Sequence, residues 1–281
     1  AKISARSTTS LRCCLSMVAF VNHLEELDPT LDIDWDTSKS NMVYLNYHSK
    51  EYEMTKNGPE GYARTKLGQL NMEAMQAAPK TDQARFIGQL ISDPSYFKNP
   101  MGARMLMQGL YDVASDLQDM ETPHSLYNLF TPEELYSCWV GGNLWFYTGD
   151  ADSPWNKGTA MASCQNLIDN IIEGADKAVA GEGEDATLRF GHDGNIIPLA
   201  ARLHLEGCDV SEANGAKACE LWQNYRVSPM AANIQLIFFR KKGSDDVLVK
   251  FMLNENETSI PVKTDVAPFY HWKDVREFLT K

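Results

Sequence analysis

The sequence predicts an α/β fold that is split by a mainly helical insertion, and three observations support this class. A strand-like start at Ile3 is followed at once by the pattern of an amphipathic helix. The range 28–149 is dominated by helical periodicity rich in Met, Leu and aromatic residues. From residue 150 onwards, helix and strand patterns alternate again. We therefore expect one α/β domain, built from residues 1–27 and 150–281, with 28–149 inserted as a helical cap.

The first strand and the first helix are predicted from a change of period. After the strand, apolar residues recur at helical spacing from Leu11 to Leu27, and Asp28-Pro29 ends the helix. Hydroxyl groups stand before the first turn, where such side chains commonly cap a helix.

The insertion carries one strand pattern and four helical patterns. The strand is predicted at Met42–Tyr47. The helical patterns are Tyr62–Ala77, Asp82–Ile91, Ala103–Leu117 and Pro132–Tyr147. We assign the methionines of these helices to the core, because methionine fills irregular interiors.

After Pro154 the α/β pattern returns. The predicted elements are a helix Thr159–Val179, a strand Thr187–Phe190, a helix whose start is marked by Asn195 and Pro198, a hairpin of Ile234–Phe239 and Val247–Leu253, and a helix Trp272–Leu279. The hairpin prediction depends on two alternating strands joined by a polar turn that contains Gly243.

Composition excludes several classes of function. The net charge of −12 argues against nucleic acid as the main partner, because such binders carry a basic face. The longest apolar run, Cys13–Val21, is too short to span a bilayer, which takes about 18 residues. The six cysteines show no metal-ligand spacing, so we expect no metal and no cofactor. Cys208 and Cys219 are either a disulfide or two buried thiols.

Polar side chains mark two corners at which a strand gives way to a helix. Arg12 lies in the first turn of the first helix, and His192-Asp193 precede a second helix. Ligands bind at the carboxyl ends of the strands of α/β sheets, and helix N-termini favour anions. A His-Asp pair alone is more typical of a capped turn. Combined with an arginine it favours phosphoryl chemistry, which needs fixed cations and a proton for the leaving group.

The residues at these corners resemble the motifs of one family. The segment Arg6-Ser-Thr-Thr-Ser-Leu-Arg12, followed by Cys13, resembles the RST-x-x-x-R-T/C segment of histidine acid phosphatases. Gly191-His192-Asp193-Gly-Asn195 resembles their distal GHDTN segment. The flanking residues and the C-terminal hairpin look similar to the branch of inositol polyphosphate phosphatases and phytases, much of which has His-Ala-Glu instead of His-Asp. The resemblance covers residues 1–27 and about 130–281.

The resemblance implies a phosphoglycerate mutase-like fold, with three α/β/α layers and an inserted helical cap. It implies a small phosphorylated substrate such as phytate or another inositol polyphosphate. In the implied mechanism Arg12 clamps the phosphate, His192 hydrogen-bonds it and Asp193 protonates the leaving alkoxide. A carboxyl group donates a proton only while it is protonated, which favours activity at acid pH.

One defining element of the family has no counterpart in these 281 residues. The family's N-terminal strand ends in RHGxRxP, and it supplies the histidine that is phosphorylated together with two clamp arginines, whereas this sequence contains no Arg-His-Gly. We expect the segment to lie upstream and the chain alone to be inactive, because it lacks the attacking group. Without this strand, one edge of the sheet has unpaired backbone groups, and another chain or segment can associate there.

Two further expectations follow from the sequence. The alternative to an enzyme is a non-catalytic phosphate-binding or interaction module, which keeps the fold without the nucleophile. The acidic charge, the alternative of a disulfide and the habit of the family favour a periplasmic or secreted setting.

Overall fold

A computed structural model describes residues 1–45, 62–78, 81–97 and 100–281 and shows a chain of mixed helices and strands. The described helices are α1 (Leu11–Leu27), α2 (Tyr62–Ala77), α3 (Gln83–Gly88), α4 (Pro100–Leu117), α5 (Pro132–Asp150), α6 (Thr159–Ser163), α7 (Gln165–Ala180), α8 (Asp193–Arg202), α9 (Gly215–Leu221), α10 (Asn224–Val227) and α11 (Trp272–Leu279). The described strands are β1 (Lys2–Ser7), β2 (Asp32–Asp36), β3 (Ala186–Phe190), β4 (Ile234–Arg240), β5 (Val247–Leu253), β6 (Asn256–Thr258) and β7 (Tyr270–His271). None of these helices is long and apolar enough to cross a membrane.

Three strands form a parallel sheet in the order β2–β1–β3. Helix α1 covers one face, where Ala5 packs against Met17 and Val21. Helix α7 covers the other face, where Nε of Arg189 donates to Oδ1 of Asn170 at 2.8 Å. Helices on both faces are the usual solution for a parallel sheet, because both of its faces are buried. The predicted three-layer α/β/α class is confirmed.

Strand β2 lies inside the range 28–149 that we assign to the insertion, and the sequence pattern does not predict it. It pairs in parallel with β1, with Asp32 opposite Lys2 and Asp36 opposite Arg6. Its sequence alternates between aspartate and an apolar residue, but it is only five residues long and aspartate is disfavoured in strands, so the signal is weak. The sheet therefore includes residues 32–36, while the division of the chain into two domains stays a prediction.

The predicted strand Met42–Tyr47 is wrong where the structure describes it. Residues 39–43 form a short 3₁₀ turn, and residues 46–47 lie outside the described residues. The cause is the amide of Asn41, whose Nδ2 donates to the backbone carbonyls of Ser7 at 3.2 Å and Asp36 at 3.1 Å. These bonds hold the turn against the ends of β1 and β2.

The four helical patterns of the insertion are confirmed as α2, α3, α4 and α5. The assignment of the methionines to the core holds only in part. Met107 of α4 is buried, whereas Met101 and Met105 on the same helix are 62% and 68% exposed. The helix therefore buries one face and leaves part of its methionine-rich surface in solvent.

The helix predicted at Thr159–Val179 is divided into α6 and α7. The break lies at Cys164, whose backbone N–H donates to Met161 O at 3.4 Å in a 3₁₀-type turn. The thiol of Cys164 is buried and also contacts Pro198 O of α8. The break between α6 and α7 thus lies where the Cys164 side chain packs against α8. Periodicity alone does not predict such a break.

The predicted hairpin is confirmed as an antiparallel pair, β4 and β5, to which β6 and β7 add on the far side of β5. Strand β5 is central, and it buries Val247, Val249 and Phe251 at alternate positions. The predicted helix at the C-terminal end is confirmed as α11, and its Trp272 packs edge-on against Phe238 of β4.

Helix α5 contributes to two apolar clusters. Its Leu144 and Tyr147 are fully buried in the main core, whereas its Cys138 joins a smaller cluster with Phe86. On the main-core side, α2 approaches α9 so closely that a Cβ atom added to Gly215 would lie 2.1 Å from Leu70 O. The helical region is therefore packed directly onto the elements that follow β3.

Candidate active site

The carboxyl ends of β1 and β3 meet at one polar corner. The ladder between the two strands extends past their ends, because Thr8 N–H donates to Phe190 O at 3.1 Å. Helix α1 begins just after Thr8 and α8 begins just after His192. The thiol of Cys13 joins the two segments by donating to Gly191 O at 3.0 Å. Two helix N-termini therefore face the same corner, which favours an anion.

Arg12 and His192, predicted as phosphate ligands from the sequence, contact each other in this corner. Nη2 of Arg12 lies 2.8 Å from Nδ1 of His192, although 180 residues separate them in the chain. His192 is 6% exposed, whereas Arg12 is exposed to solvent. The arginine therefore offers a guanidinium at the mouth of the corner, and the histidine lies beneath it.

The His192 ring is held from more than one side. The hydroxyl Oγ1 of the fully buried Thr8 lies 3.1 Å from Nε2. The sulfur of Cys13 lies 3.5 Å from the same nitrogen. Thr8 lies in the turn between β1 and α1, and Cys13 lies in the first turn of α1, so the strand-to-helix corner fixes the ring as well as placing Arg12.

The backbone of His192 is fixed by a side chain of its own helix. Oδ1 of Asn195 accepts a hydrogen bond from His192 N at 3.0 Å. The neighbouring Gly191 leaves room for this amide, because a Cβ atom at that position would lie 2.6 Å from Asn195 Oδ1. The glycine and the asparagine of the Gly-His-Asp-Gly-Asn segment thus act as a pair that sets the direction of the ring.

Asp193, the predicted proton donor, is the first residue of α8 and is exposed. Its Oδ1 accepts from Gly194 N at 2.8 Å. Asn195 and Pro198 were expected to mark the start of this helix, but the helix begins at Asp193 and Pro198 lies inside it. The carboxyl group therefore stands at the helix N-terminus, beside the buried His192 ring and open to solvent.

Two other arginines of the parallel sheet are held away from the corner. Nη2 of Arg6 lies 2.5 Å from Oδ2 of Asp34 on the neighbouring strand. Arg189 donates to the side chain and the backbone of Asn170 on α7. Burial lowers the pKa of Arg189 to about 10, which still leaves the group charged at neutral pH.

Sequence reasoning missed two residues of this corner. The hydroxyls before α1 were expected to cap the helix, but the N-cap Ser10 makes no side-chain cap bond, and Thr8 turns to the His192 ring. Cys13 was noted only as a motif position. Thr8 lies within the segment 6–12 that resembles the family motif, and Cys13 follows this segment directly. The resemblance is the signal in the sequence that could identify these two residues as part of the site.

In the part of the chain that the structure describes, the cysteines and acidic residues form no second site. Cys208 and Cys219 are buried thiols, so the disulfide that the sequence left open is not formed in this structure. Within residues 1–45, 62–78, 81–97 and 100–281, no cluster of three or more His, Cys, Asp or Glu side chains is arranged to hold a metal ion.

Comparisons with known proteins show the family and the fold of this chain. The family model of the histidine phosphatase superfamily (branch 2) matches residues 2–254. Three solved structures of multiple inositol polyphosphate phosphatase from Bifidobacterium longum have a similar fold, and each match covers 99% of this chain and 73% of the other. The complex with inositol hexasulfate gives a TM-score of 0.71 at 18% identity, the apo form 0.70 at 17% and the phosphate complex 0.70 at 18%. A search of curated proteins gives no match. The family resemblance of the two motifs is thus confirmed, and the chain belongs to the histidine phosphatase superfamily, branch 2.

Proposed function

We propose that the protein is a phosphomonoesterase of the histidine acid phosphatase type. The observation that carries the proposal is the 2.8 Å contact between Arg12 and His192 where two helix N-termini meet. An exposed guanidinium, a buried imidazole and the partial positive charge of two helices suit a phosphate group.

In the proposed reaction, Arg12 and His192 bind the phosphate oxygens and Asp193 protonates the leaving alkoxide. A histidine outside these 281 residues attacks phosphorus, so that a nitrogen–phosphorus bond forms as the ester bond breaks. Water then attacks the phosphohistidine and releases phosphate. These 281 residues alone, which lack that histidine, bind phosphate but do not hydrolyse esters in this proposal.

The open edges of the two sheets support a segment supplied from outside. Among the described residues, β3 pairs only with β1 and β4 pairs only with β5. Both strands lie along α7, since Arg189 of β3 bonds to Asn170 and Arg240 of β4 donates to Val179 O at 2.8 Å. An extended segment placed along this helix would find unpaired backbone groups on β3 and on β4.

The proposed substrates are phosphate esters of small molecules, with inositol polyphosphates such as phytate foremost. Structures of similar fold include a multiple inositol polyphosphate phosphatase in complex with inositol hexasulfate and in complex with phosphate, which supports this class. We also propose a periplasmic or secreted setting, which fractionation of the producing cells tests.

The second candidate is a non-catalytic phosphate-binding or interaction module. The observation that favours it is that these 281 residues contain no Arg-His-Gly. The coding sequence upstream decides between the two. An in-frame Arg-His-Gly supports the enzyme, and a start codon directly before residue 1 supports the module.

The role of Asp193 is tested by hydrolysis of a generic phosphomonoester at acid pH with the full-length protein. The variant Asp193→Asn is expected to lose about 100-fold or more in kcat, because it cannot protonate the alkoxide. Asp245→Asn makes the same change in the exposed turn between β4 and β5 and is expected to keep full activity. Equal activity of Asp193→Asn and the unchanged protein would contradict the assigned role.

A further inference from the structure

The side-chain hydroxyl of Thr8 is buried, and its contact with the His192 ring accounts for its position. The residue is fully buried, and its Oγ1 lies 3.1 Å from Nε2 of His192. Its Oγ1 also accepts from Ser10 N in a long contact of 3.4 Å. A hydroxyl both donates and accepts hydrogen bonds, so Thr8 can serve as partner to Nε2 whether or not that nitrogen carries a proton.

In the structure, the contact with Arg12 decides which ring nitrogen carries the proton. A guanidinium has only donors, so Nδ1 of His192 must accept from Nη2 of Arg12 across the 2.8 Å contact. In the neutral ring the proton is then on Nε2, and Nε2–H donates to Oγ1 of Thr8.

Phosphate binding requires the opposite arrangement. Phosphate oxygens that carry no proton only accept, so Arg12 and Nδ1 of His192 must both donate to them. The ring then either gains a second proton or exchanges its proton from Nε2 to Nδ1. The burial of His192, which is 6% exposed, and the charge of Arg12 disfavour a second proton on the ring, whereas the negative charge of the phosphate favours it. The exchange keeps the ring neutral and leaves Nε2 as an acceptor.

We propose that Thr8 is a positioning residue that lets His192 exchange its ring proton when phosphate binds, and this rests on the proposed phosphate site. In the free protein the Thr8 hydroxyl accepts from Nε2–H. In the phosphate-bound protein the Thr8 hydroxyl rotates and donates to the unprotonated Nε2, while Nδ1–H donates to phosphate. One proton leaves Nε2 to solvent and one arrives at Nδ1 from solvent, so that no net charge is gained.

The first test reads the ring nitrogens directly, by side-chain NMR of the chain labelled with ¹⁵N-histidine, using inorganic phosphate as the probe. The His192 signals are identified by their loss in His192→Gln. We expect Nε2 to be protonated in the free protein and Nδ1 to be protonated with saturating phosphate. Protonation of both nitrogens in the bound state, or of the same nitrogen in both states, overturns the inference.

The second test measures phosphate affinity by calorimetry. Thr8→Val keeps the shape of the side chain but removes the hydroxyl, and it is expected to weaken binding about tenfold because Nε2 loses the contact with that hydroxyl. Thr8→Ser is expected to restore affinity to within about twofold of the unchanged chain, since it retains the hydroxyl.

The matched control is Ser7→Ala. Ser7 is also fully buried and directly precedes Thr8 at the end of β1, but its Oγ donates to Thr8 O at 2.9 Å and contacts Cys14, not the ring. A loss in Ser7→Ala equal to that in Thr8→Val overturns the inference, because disturbance of the turn then explains both. Equal affinity of Thr8→Val and the unchanged chain overturns the inference and leaves the phosphate site standing. Absence of phosphate binding by the unchanged chain overturns both.

Discussion

The two sheets of the protein differ in where they place polar side chains. The parallel sheet ends in a corner where Thr8 and His192 are buried beneath the exposed Arg12. The antiparallel sheet buries apolar side chains such as Val249 and Phe251 at alternate positions of its central strand. Buried polar groups are unfavourable unless they are hydrogen-bonded, so a cluster of them at strand ends indicates a binding site. We therefore expect ligand binding to depend on the first sheet and stability mainly on the second.

The edges of the two sheets show the same contrast. All five residues of β3, which has one neighbour, are half-buried. Strand β5, with neighbours on both sides, alternates between buried and half-buried residues. The core of the parallel sheet is thus less complete at β3, where the proposed additional segment would add apolar contacts.

The largest expected effect compares one phenylalanine from each sheet. Phe251→Ala removes a fully buried ring of β5 and is expected to lower the free energy of unfolding by about 3–5 kcal/mol. Phe190→Ala removes a half-buried ring of β3, which contacts Phe20, and is expected to lower it by about 1–2 kcal/mol. Urea denaturation at neutral pH measures both. Equal losses would show that β3 is as well packed as β5, contrary to the contrast above.

A second expected effect belongs to the binding corner. Arg12→Ala is expected to weaken the binding of inorganic phosphate by about 2 kcal/mol, which is roughly thirtyfold, because charge-assisted hydrogen bonds are lost. Its free energy of unfolding is expected to fall by about 1 kcal/mol, because Nδ1 of the buried His192 loses this donor. Calorimetric titration and urea denaturation measure the two quantities.

The matched control for Arg12 is Arg6→Ala. Arg6 lies on the same sheet, but its guanidinium is paired with Asp34, so its loss is expected to leave phosphate affinity within about twofold. Equal weakening by the two variants would mean that phosphate binds outside this corner. It could equally mean that the summed charge of both arginines attracts phosphate, rather than a contact with Arg12.

The smallest expected effect is the pH dependence of stability due to His271 at the end of the antiparallel sheet. Hydrogen bonds to Asp246 and Asp265 raise the pKa of His271 from 6.5 to about 9. Folding thus favours the protonated ring, so the stabilisation is complete below pH 6.5 and is lost as the pH rises through about 9. The His271 side chain is half-buried, but both aspartates are exposed, and screening by solvent keeps the effect small.

Thermal unfolding across this pH range tests the role of His271. The difference in melting temperature between the unchanged protein and His271→Gln is expected to shrink as the pH rises from 6.5 to above 9. His124→Gln, which removes an exposed histidine in the loop before α5, is expected to show no such trend. A constant difference for His271→Gln would argue against the two hydrogen bonds in solution.

The sequence predicted most of the fold because much of it depends on local periodicity. The bounds of α1, α2 and α11 agree with the predicted helices. The errors occur where a distant contact overrides the local pattern. Strand β2 exists because β1 offers it a parallel partner, and the 3₁₀ turn at 39–43 is held by Asn41 against two strand ends.

The candidate site was predictable in its residue types but not in its contacts. Motifs identified Arg12, His192 and Asp193, and the structure brings the first two together and leaves the third at the start of α8. Their roles stay predictions. The part played by Thr8 was not predictable, because a threonine before a helix has many uses and only the distance to the ring distinguishes them. The proton position in the ring likewise depends on which nitrogen meets Arg12.

Helix α5 contributes side chains to two apolar clusters, and this affects how the chain unfolds. When this helix unfolds, Leu144 and Tyr147 leave the main core while Cys138 leaves the smaller cluster. Neither cluster keeps its packing without the other, so disruption spreads through the helix in both directions. We therefore expect residues on both sides of α5 to exchange their amide hydrogens as one cooperative unit rather than as two.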